Sequence, residues 1–286
     1  MAHVLLTLGH GYSAQALAAR LIPQGWRVIG TTRSAEKAER LRAQGVEPLI
    51  WPGTDLAPAV AQATHILGSI APDAAGDPVL VAHAGLFAQA RPLWAGYLST
   101  TGVYGDHAGG WVDEDTPLTP GTQRGHQRVM AEAQWQALGL PLHIFRLAGI
   151  YGPGRGPFRK VLDGTAQRIL KEGQFFSRIH VDDIARVLEA SIQRPDPGAI
   201  YNVCDDDPCP PADVLAHAAD LLGLPVPPAV RIEDADMTPM ARSFYAESKR
   251  VRNDRMKALL GVALQYPTYR EGLAALLAAT KMADRG

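Results

Sequence analysis

The sequence is poor in cysteine: Cys204 and Cys209 are the only two in 286 residues, five apart in CDDDPC. Two thiols cannot build a disulfide framework, and a lone C-x4-C without a histidine cluster does not supply the four ligands of a zinc site. They read as free thiols in a loop, no metal site is expected, and the expected setting is the reducing cytoplasm. No window of 18 or more apolar residues exists, so no membrane span is expected. No Lys or Arg precedes Arg20, and Gly9 and Gly11 interrupt the apolar N-terminus, which argues against a secretory leader. An excess of charge of one sign is also lacking. With 28 basic and 29 acidic side chains, the chain has no global attraction to nucleic acid or an anionic membrane. Its 47% hydrophobic content argues against disorder.

What is present is an alternation of strand and helix. His3–Leu8 is a continuous apolar run stopped by Gly9, as in a strand buried on both faces. Ala14, Leu17, Ala18 and Leu21 then recur at helical spacing until Pro23 and Gly25. Strands are predicted at Trp26–Gly30, Val46–Trp51, His65–Ile70, Leu93–Ser99 and Leu142–Leu147. Helices are predicted at Ser34–Ala43, Leu56–Ala63, Pro78–Gln89 and Arg124–Leu138. Strands separated by helical segments imply right-handed crossovers and an α/β fold: a Rossmann doubly wound parallel sheet over residues 1–150. After Gly152, clusters of Pro and Gly separate shorter helical stretches. Residues 151–286 therefore read mainly as a smaller C-terminal substrate lobe over the carboxyl edge of the sheet, with some later elements returning to the core.

Gly9-His10-Gly11-Tyr12-Ser13-Ala14 has the form G-x-G-x-x-A, directly after a strand and opening a helix. The first glycine allows a tight turn, the second lets backbone approach a pyrophosphate, and the small third residue lets helix and strand pack closely. The pyrophosphate then meets the positive helix N-terminus. Gly9, Gly11, Tyr12, Ser13 and Ala14 are thus candidate dinucleotide-binding residues. NAD binders usually place an acid on the ribose 2′-hydroxyl at the end of the second strand. Here no acid occurs before Glu36, and the segment reads Thr32-Arg33-Ser34. Arg33 suits a 2′-phosphate, with Thr32 and Ser34 as hydroxyl donors, so NADP(H) is expected over NAD(H). The alternative for Arg33 is a solvated arginine at a helix start.

Four further segments carry a resemblance. Ser99–Asp106 (STTGVYGD) is similar to an S/T-x-x-x-V-Y-G segment, and Arg146–Gly154 (RLAGIYGPG) to R-x-x-x-x-Y-G-P-G. Ile179–Asp183 reads I-H-V-D-D, and Gly198–Val203 reads G-x-x-Y-N-V. In this order they resemble the extended and atypical short-chain dehydrogenase/reductases, the NAD-dependent epimerase/dehydratase group, over nearly the whole chain. The G-x-G-x-x-A form points to an atypical subgroup. The resemblance implies a nicotinamide-dependent oxidoreductase or epimerase acting on a sugar nucleotide or similar polar substrate. It also implies that Thr100, four residues before Tyr104, is the catalytic Ser/Thr that hydrogen-bonds the reacting oxygen.

One departure is plain. The family's proton shuttle is Y-x-x-x-K, four residues before a helical Glu; counting back from Glu132 puts Arg124 and Arg128 at the two positions. No tyrosine occurs from Gly105 to Ile150, and no lysine from Ala38 to Arg159. Arginine stays protonated and cannot replace a phenol that cycles its proton. At i, i+4 the two arginines share a helix face, where they can bind an anion between them or pair with acids such as Glu132. Tyr104 and then His126 are the remaining acid–base candidates. Asp182 or Asp183 is expected to cap a helix Ile184–Ser191, and the acidic turn Asp113–Pro117 reads as a solvated loop.

Near-neutrality is a cancellation. Residues 1–46 carry six basic and two acidic side chains, and residues 120–172 carry eight and three. Positive excess falls on the proposed phosphate site and on the arginine pair, which fits a small anionic ligand and not a polyanion-binding surface. Two function classes remain: an NADP(H)-dependent enzyme whose Thr100, Tyr104, Arg124 and Arg128 face the nicotinamide, or a non-catalytic NADP(H)-binding sensor. Both a monomer and a homodimer are open.

Overall fold

Seven parallel strands form the central sheet of the computed structural model, which describes residues 3–283. They are β1 (Val4–Leu8), β2 (Arg27–Thr32), β3 (Val46–Ile50), β4 (His65–Gly68), β5 (Trp94–Thr100), β6 (Leu142–Leu147) and β7 (Ile200–Val203). Their spatial order is β7-β6-β5-β4-β1-β2-β3, so the chain starts in the middle and winds outward in both directions. β1, β4 and β6 are buried along their whole length, as in a parallel sheet covered on both faces, and their polar members Thr7, His65, His143 and Arg146 are buried with them.

Helices cover both faces. On one side α1 (Tyr12–Leu21) packs Ala14, Leu17, Ala18 and Leu21 with Ile184, Ala185, Val187 and Leu188 of the helix Val181–Gln193. On the other lie α3 (Ala57–Gln62), α4 (Pro78–Gln89) and α5 (Gln123–Gln136), and the Trp135 ring of α5 stacks on Tyr97 of β5 with 5.7 Å between centroids. α2 (Ala35–Ala43) follows β2 and opens on Ser34, whose side chain accepts the Lys37 amide. β2 extends to Thr32, beyond the predicted Gly30, and both added threonines are buried.

Elements from the second half also lie with this sheet, among them the helix Val181–Gln193 and β7, whose register against β6 runs from Ile200↔Ile144 to Val203↔Leu147. The helix begins earlier than expected and neither aspartate caps it. His180 is the cap, its ring accepting the Asp182 amide, while the buried Asp183 carboxylate accepts the Gln265 and Tyr266 amides and so ties down the C-terminal segment. A separate apolar cluster gathers Tyr151, Val161, Ala218, Tyr269 and Leu273 from the second half of the chain. Cys204 and Cys209 are free, and both are buried rather than displayed on a loop.

Asp205, just past β7, is buried with neither carboxylate oxygen in a hydrogen bond of normal geometry. Burial pushes its pKa up to about 8, against the pull of the Arg178 guanidinium. The unfolded chain releases this proton near pH 4, whereas the folded chain holds it to about pH 8. The stability linked to this group is therefore full below about pH 4 and is lost as pH rises through about 8. Asp205→Asn is expected to flatten that decline and to gain on the order of 2–4 kcal/mol at pH 8. Urea unfolding across this range checks it; a variant with the same pH slope as the unaltered protein contradicts it.

Candidate functional site: a cleft at the carboxyl edge of the sheet

The turn after β1 has the geometry the glycine motif calls for. Gly9 sits at φ +84°, and a Cβ there would meet the Ile70 side chain at 2.7 Å, so only glycine fits. Gly11 is the N-cap of α1 with no side chain over the helix end; a Cβ on it would meet only its own turn, with Gly9 O at 3.7 Å. The first-turn amides of α1 have no partner within the helix and face an open approach. Tyr12 and Ser13 line the cleft, and Ala14 is fully buried against the sheet.

The turn is pinned from β2 and α2. The Gly9 amide donates to Thr31 Oγ1 at 2.6 Å and the His10 amide to Thr31 O at 2.9 Å. The buried His10 ring bonds Thr7 Oγ1 at 2.7 Å. Burial, with the Lys37 charge beside it, pulls His10 down to about 4 and keeps it neutral. Lys37 Nζ donates to His10 O at 2.7 Å, so a cation is held over the turn. The sequence reading did not single out Lys37; the available signal was its place in the first turn of α2, four residues after Arg33.

At the end of β2, Thr32 Oγ1 accepts the Ser34 amide at 3.3 Å and Ser34 Oγ accepts the Lys37 amide at 3.2 Å. Both hydroxyls keep their own proton free to donate. Arg33 is exposed and, among the described residues, has no carboxylate within 4.0 Å. The nearby acids Glu36 and Glu39 are taken by Arg40 and Arg42. The local residues thus fit a 2′-phosphorylated dinucleotide: a bare helix N-terminus, an unpaired guanidinium, two hydroxyl donors and no acid left unpaired.

The turn opens into a cleft of about 880 Å³ at the carboxyl ends of the strands, a size ordinary for a small-molecule site. Ser69, Thr100, Arg124, Arg128, Arg178 and Phe244 are among its walls. Thr100 ends β5, its Oγ1 accepting the Gly102 amide at 3.2 Å. Arg124 lies over the Phe244 ring at 5.2 Å and has no carboxylate within 4.0 Å among the described residues.

Arg128 behaves differently from its neighbour one turn away. Its Nη1 donates to Leu98 O at 2.6 Å and to Tyr97 OH at 3.1 Å, so it braces the strand end that carries Thr100. The i, i+4 pair shares the cleft but not one job. Glu132 pairs with neither of them. It holds Arg146 at 2.8 Å and receives the Ser99 hydroxyl, all three buried.

Tyr104 is not in the cleft, and its assignment there is corrected. It is fully buried; its OH donates to Asn202 Oδ1 at 2.7 Å and accepts from Arg146 Nη1 at 3.0 Å. Burial pushes its pKa up to about 12, with Arg146 opposing. His126 stands exposed on α5 and is not among the cleft walls. The acidic turn is not a solvated loop throughout: Glu114 is buried and its Oε1 accepts the Asn202 amide at 2.8 Å.

Several wall residues come from segments that carried no motif for them. Tyr12 OH donates to Pro153 O at 2.9 Å, with the Arg155 guanidinium 5.9 Å from its ring centroid, so the segment after β6 closes on the glycine turn. Glu247 accepts the Gly121 amide and pairs with Lys249 at 2.9 Å. Among the described residues no group of His, Cys, Asp and Glu is arranged to hold a metal ion, and no helix is long and apolar enough to cross a membrane.

The model of the NAD dependent epimerase/dehydratase family matches residues 88–204. A functionally unknown conserved protein from Silicibacter pomeroyi has a solved structure that superposes with a TM-score of 0.93 at 61% identity, covering 98% of this chain and 99% of that one. Protein YeeZ of Escherichia coli (strain K12) is 30% identical over 282 residues, 91% of this chain and 95% of its own. In fold, the human epimerase family protein SDR39U1, solved with NADPH, is also similar: TM-score 0.76 at 19% identity, covering 96% of this chain and 99% of that one.

Proposed function

Because the chain belongs to the NAD-dependent epimerase/dehydratase family, we propose that it binds NADP(H) and works as an oxidoreductase or epimerase on a small anionic or sugar-nucleotide-like substrate, with Arg124 and Arg128 standing where the family's Tyr and Lys stand. One observation carries this reading: the glycine turn, Thr100 and Arg124 line a single continuous cleft. The unpaired Arg33 and the absence of an acid at the end of β2 favour the phosphorylated dinucleotide over NAD(H).

When bound, the nicotinamide ring supplies or accepts a hydride. The protein's own part is binding and orientation. The free hydroxyl proton of Thr100 is placed to donate to a substrate oxygen, and Arg128 fixes the strand end that sets this position. Arg124 is available to an anionic group of the substrate.

Neither tyrosine of the cleft walls is suited to cycle a proton near neutrality. The phenols of Tyr12 and Tyr151 donate to the Pro153 and Thr268 carbonyls, and burial raises both pKa values. Reduction of an activated acceptor, with the proton drawn from water, therefore suits the cleft better than abstraction of an alcohol proton.

The missing shuttle favours a second reading, a non-catalytic NADP(H)-binding sensor. Fluorescence titration followed by turnover separates the two. The enzyme reading expects NADPH to bind and then to be oxidised by a member of a panel of sugar nucleotides and small carbonyls. Bound NADPH that stays unoxidised across the panel favours the sensor, and failure to bind overturns both.

A further inference from the structure

The cleft walls hold five cations, Arg124, Arg128, Arg155, Arg178 and Lys249, against one carboxylate, Glu247. These cations are not equivalent. Lys249 is paired with Glu247, Arg128 is tied to the end of β5, and Arg178 donates to Phe176 O at 2.9 Å. Arg155 lies by Tyr12, beside the turn proposed for the pyrophosphate. Only the side chains of Arg124 and Arg155 in this set have neither a hydrogen bond nor an ion pair among the described residues; with Arg155 beside the pyrophosphate turn, Arg124, whose one contact of note is the Phe244 face, is the cation left for the substrate.

That contact has a chemical consequence. A guanidinium lying over an aromatic ring keeps its N–H edge free and its orientation restricted, which suits bidentate binding of a planar anion. Phe244 is itself 50% exposed, with Met240 close by in the same short helix at 65%. Phe175 and Phe176 add aromatic surface to the walls. An apolar wall beside an unpaired cation matches a ligand with an apolar plane and one charged end.

We infer that the substrate is a small carboxylate on a planar unsaturated body, its carboxylate gripped by Arg124 and its plane laid against Phe244. This deepens the functional reading above and rests on its placement of the dinucleotide. It assigns Arg124 a specificity-determining role and leaves Arg128 as a positioning residue. A nucleotide sugar and an aryl phosphate are the competing ligands.

The test is calorimetric titration of the NADP⁺-loaded protein with benzoate, cinnamate and phenylpyruvate, the matching amides, phenyl phosphate and UDP-glucose. The expected result is that at least one carboxylate binds and its amide binds about tenfold more weakly or worse. Arg124→Gln is expected to lose a similar factor for the carboxylate, and Phe244→Ala to weaken it, while both variants bind NADPH as the unaltered protein does. The inference is overturned if no carboxylate binds, if acid and amide bind alike, if Arg124→Gln has no effect, or if UDP-glucose or phenyl phosphate outcompetes every carboxylate. Should the unaltered protein fail to bind NADPH, the cofactor reading falls first. The acids are then titrated into the apo protein, where binding lost in Arg124→Gln sustains the carboxylate site and equal binding of acid and amide ends it.

Discussion

Arg146→Ala is expected to destabilise the protein by about 3–5 kcal/mol, the range for breaking a buried ion pair by removing one partner. Arg146 is 3% exposed and sits at the centre of a buried network. It holds Glu132 through two contacts, Nη2–Oε2 at 2.8 Å and Nε–Oε1 at 3.2 Å, and donates to Tyr104 OH at 3.0 Å. Removing it leaves the Glu132 carboxylate buried with only the Ser99 hydroxyl, and takes one partner from Tyr104. Ser99 precedes Thr100, so the same change should loosen the strand end that lines the cleft. Urea unfolding measures the loss; a change below about 1 kcal/mol would contradict the network's role. Arg146→Met combined with Glu132→Leu should recover much of the stability, since both charges are then gone.

The second large effect is on binding. Arg33→Asp should weaken NADPH by about 100-fold, because a charge-assisted bond to the 2′-phosphate is replaced by repulsion. NADH, which has a hydroxyl there, should bind as well as before or better. The fold should not notice the change, since Arg33 is exposed and pairs with no acid among the described residues. Parallel fluorescence titrations with the two cofactors read the outcome. Equal loss for both would place Arg33 outside the phosphate contact.

The parts of the fold that were legible in the sequence are those set by neighbours close in the chain. β1 reads as a buried strand because every one of its side chains is buried, and α1 reads as a helix because Ala14, Leu17, Ala18 and Leu21 fall on one face. The glycine turn is local too: Gly9 needs positive φ whatever lies elsewhere.

What misled was what depends on distant partners. Tyr104 follows Thr100 by four residues and looks like a cleft group, but Asn202 and Arg146, 98 and 42 positions away, draw its hydroxyl into the core. Arg128 and Arg124 are alike in sequence; the Leu98 carbonyl and the Tyr97 hydroxyl, both offered by β5, separate brace from free cation. Glu114 looked solvated because its partner, the Asn202 amide, is 88 residues on. The contact of Lys37, the His10 carbonyl, is a backbone atom that no side-chain pattern reveals.

The most direct test of the account is a crystal structure of the NADP⁺ complex. The predicted result has the pyrophosphate on the first-turn amides of α1, the 2′-phosphate within hydrogen-bond reach of Arg33, and the nicotinamide in the cleft beside Thr100, with Tyr104 still buried. A cofactor bound with its phosphate away from Arg33, or with its nicotinamide outside the Thr100–Arg124 cleft, would contradict it.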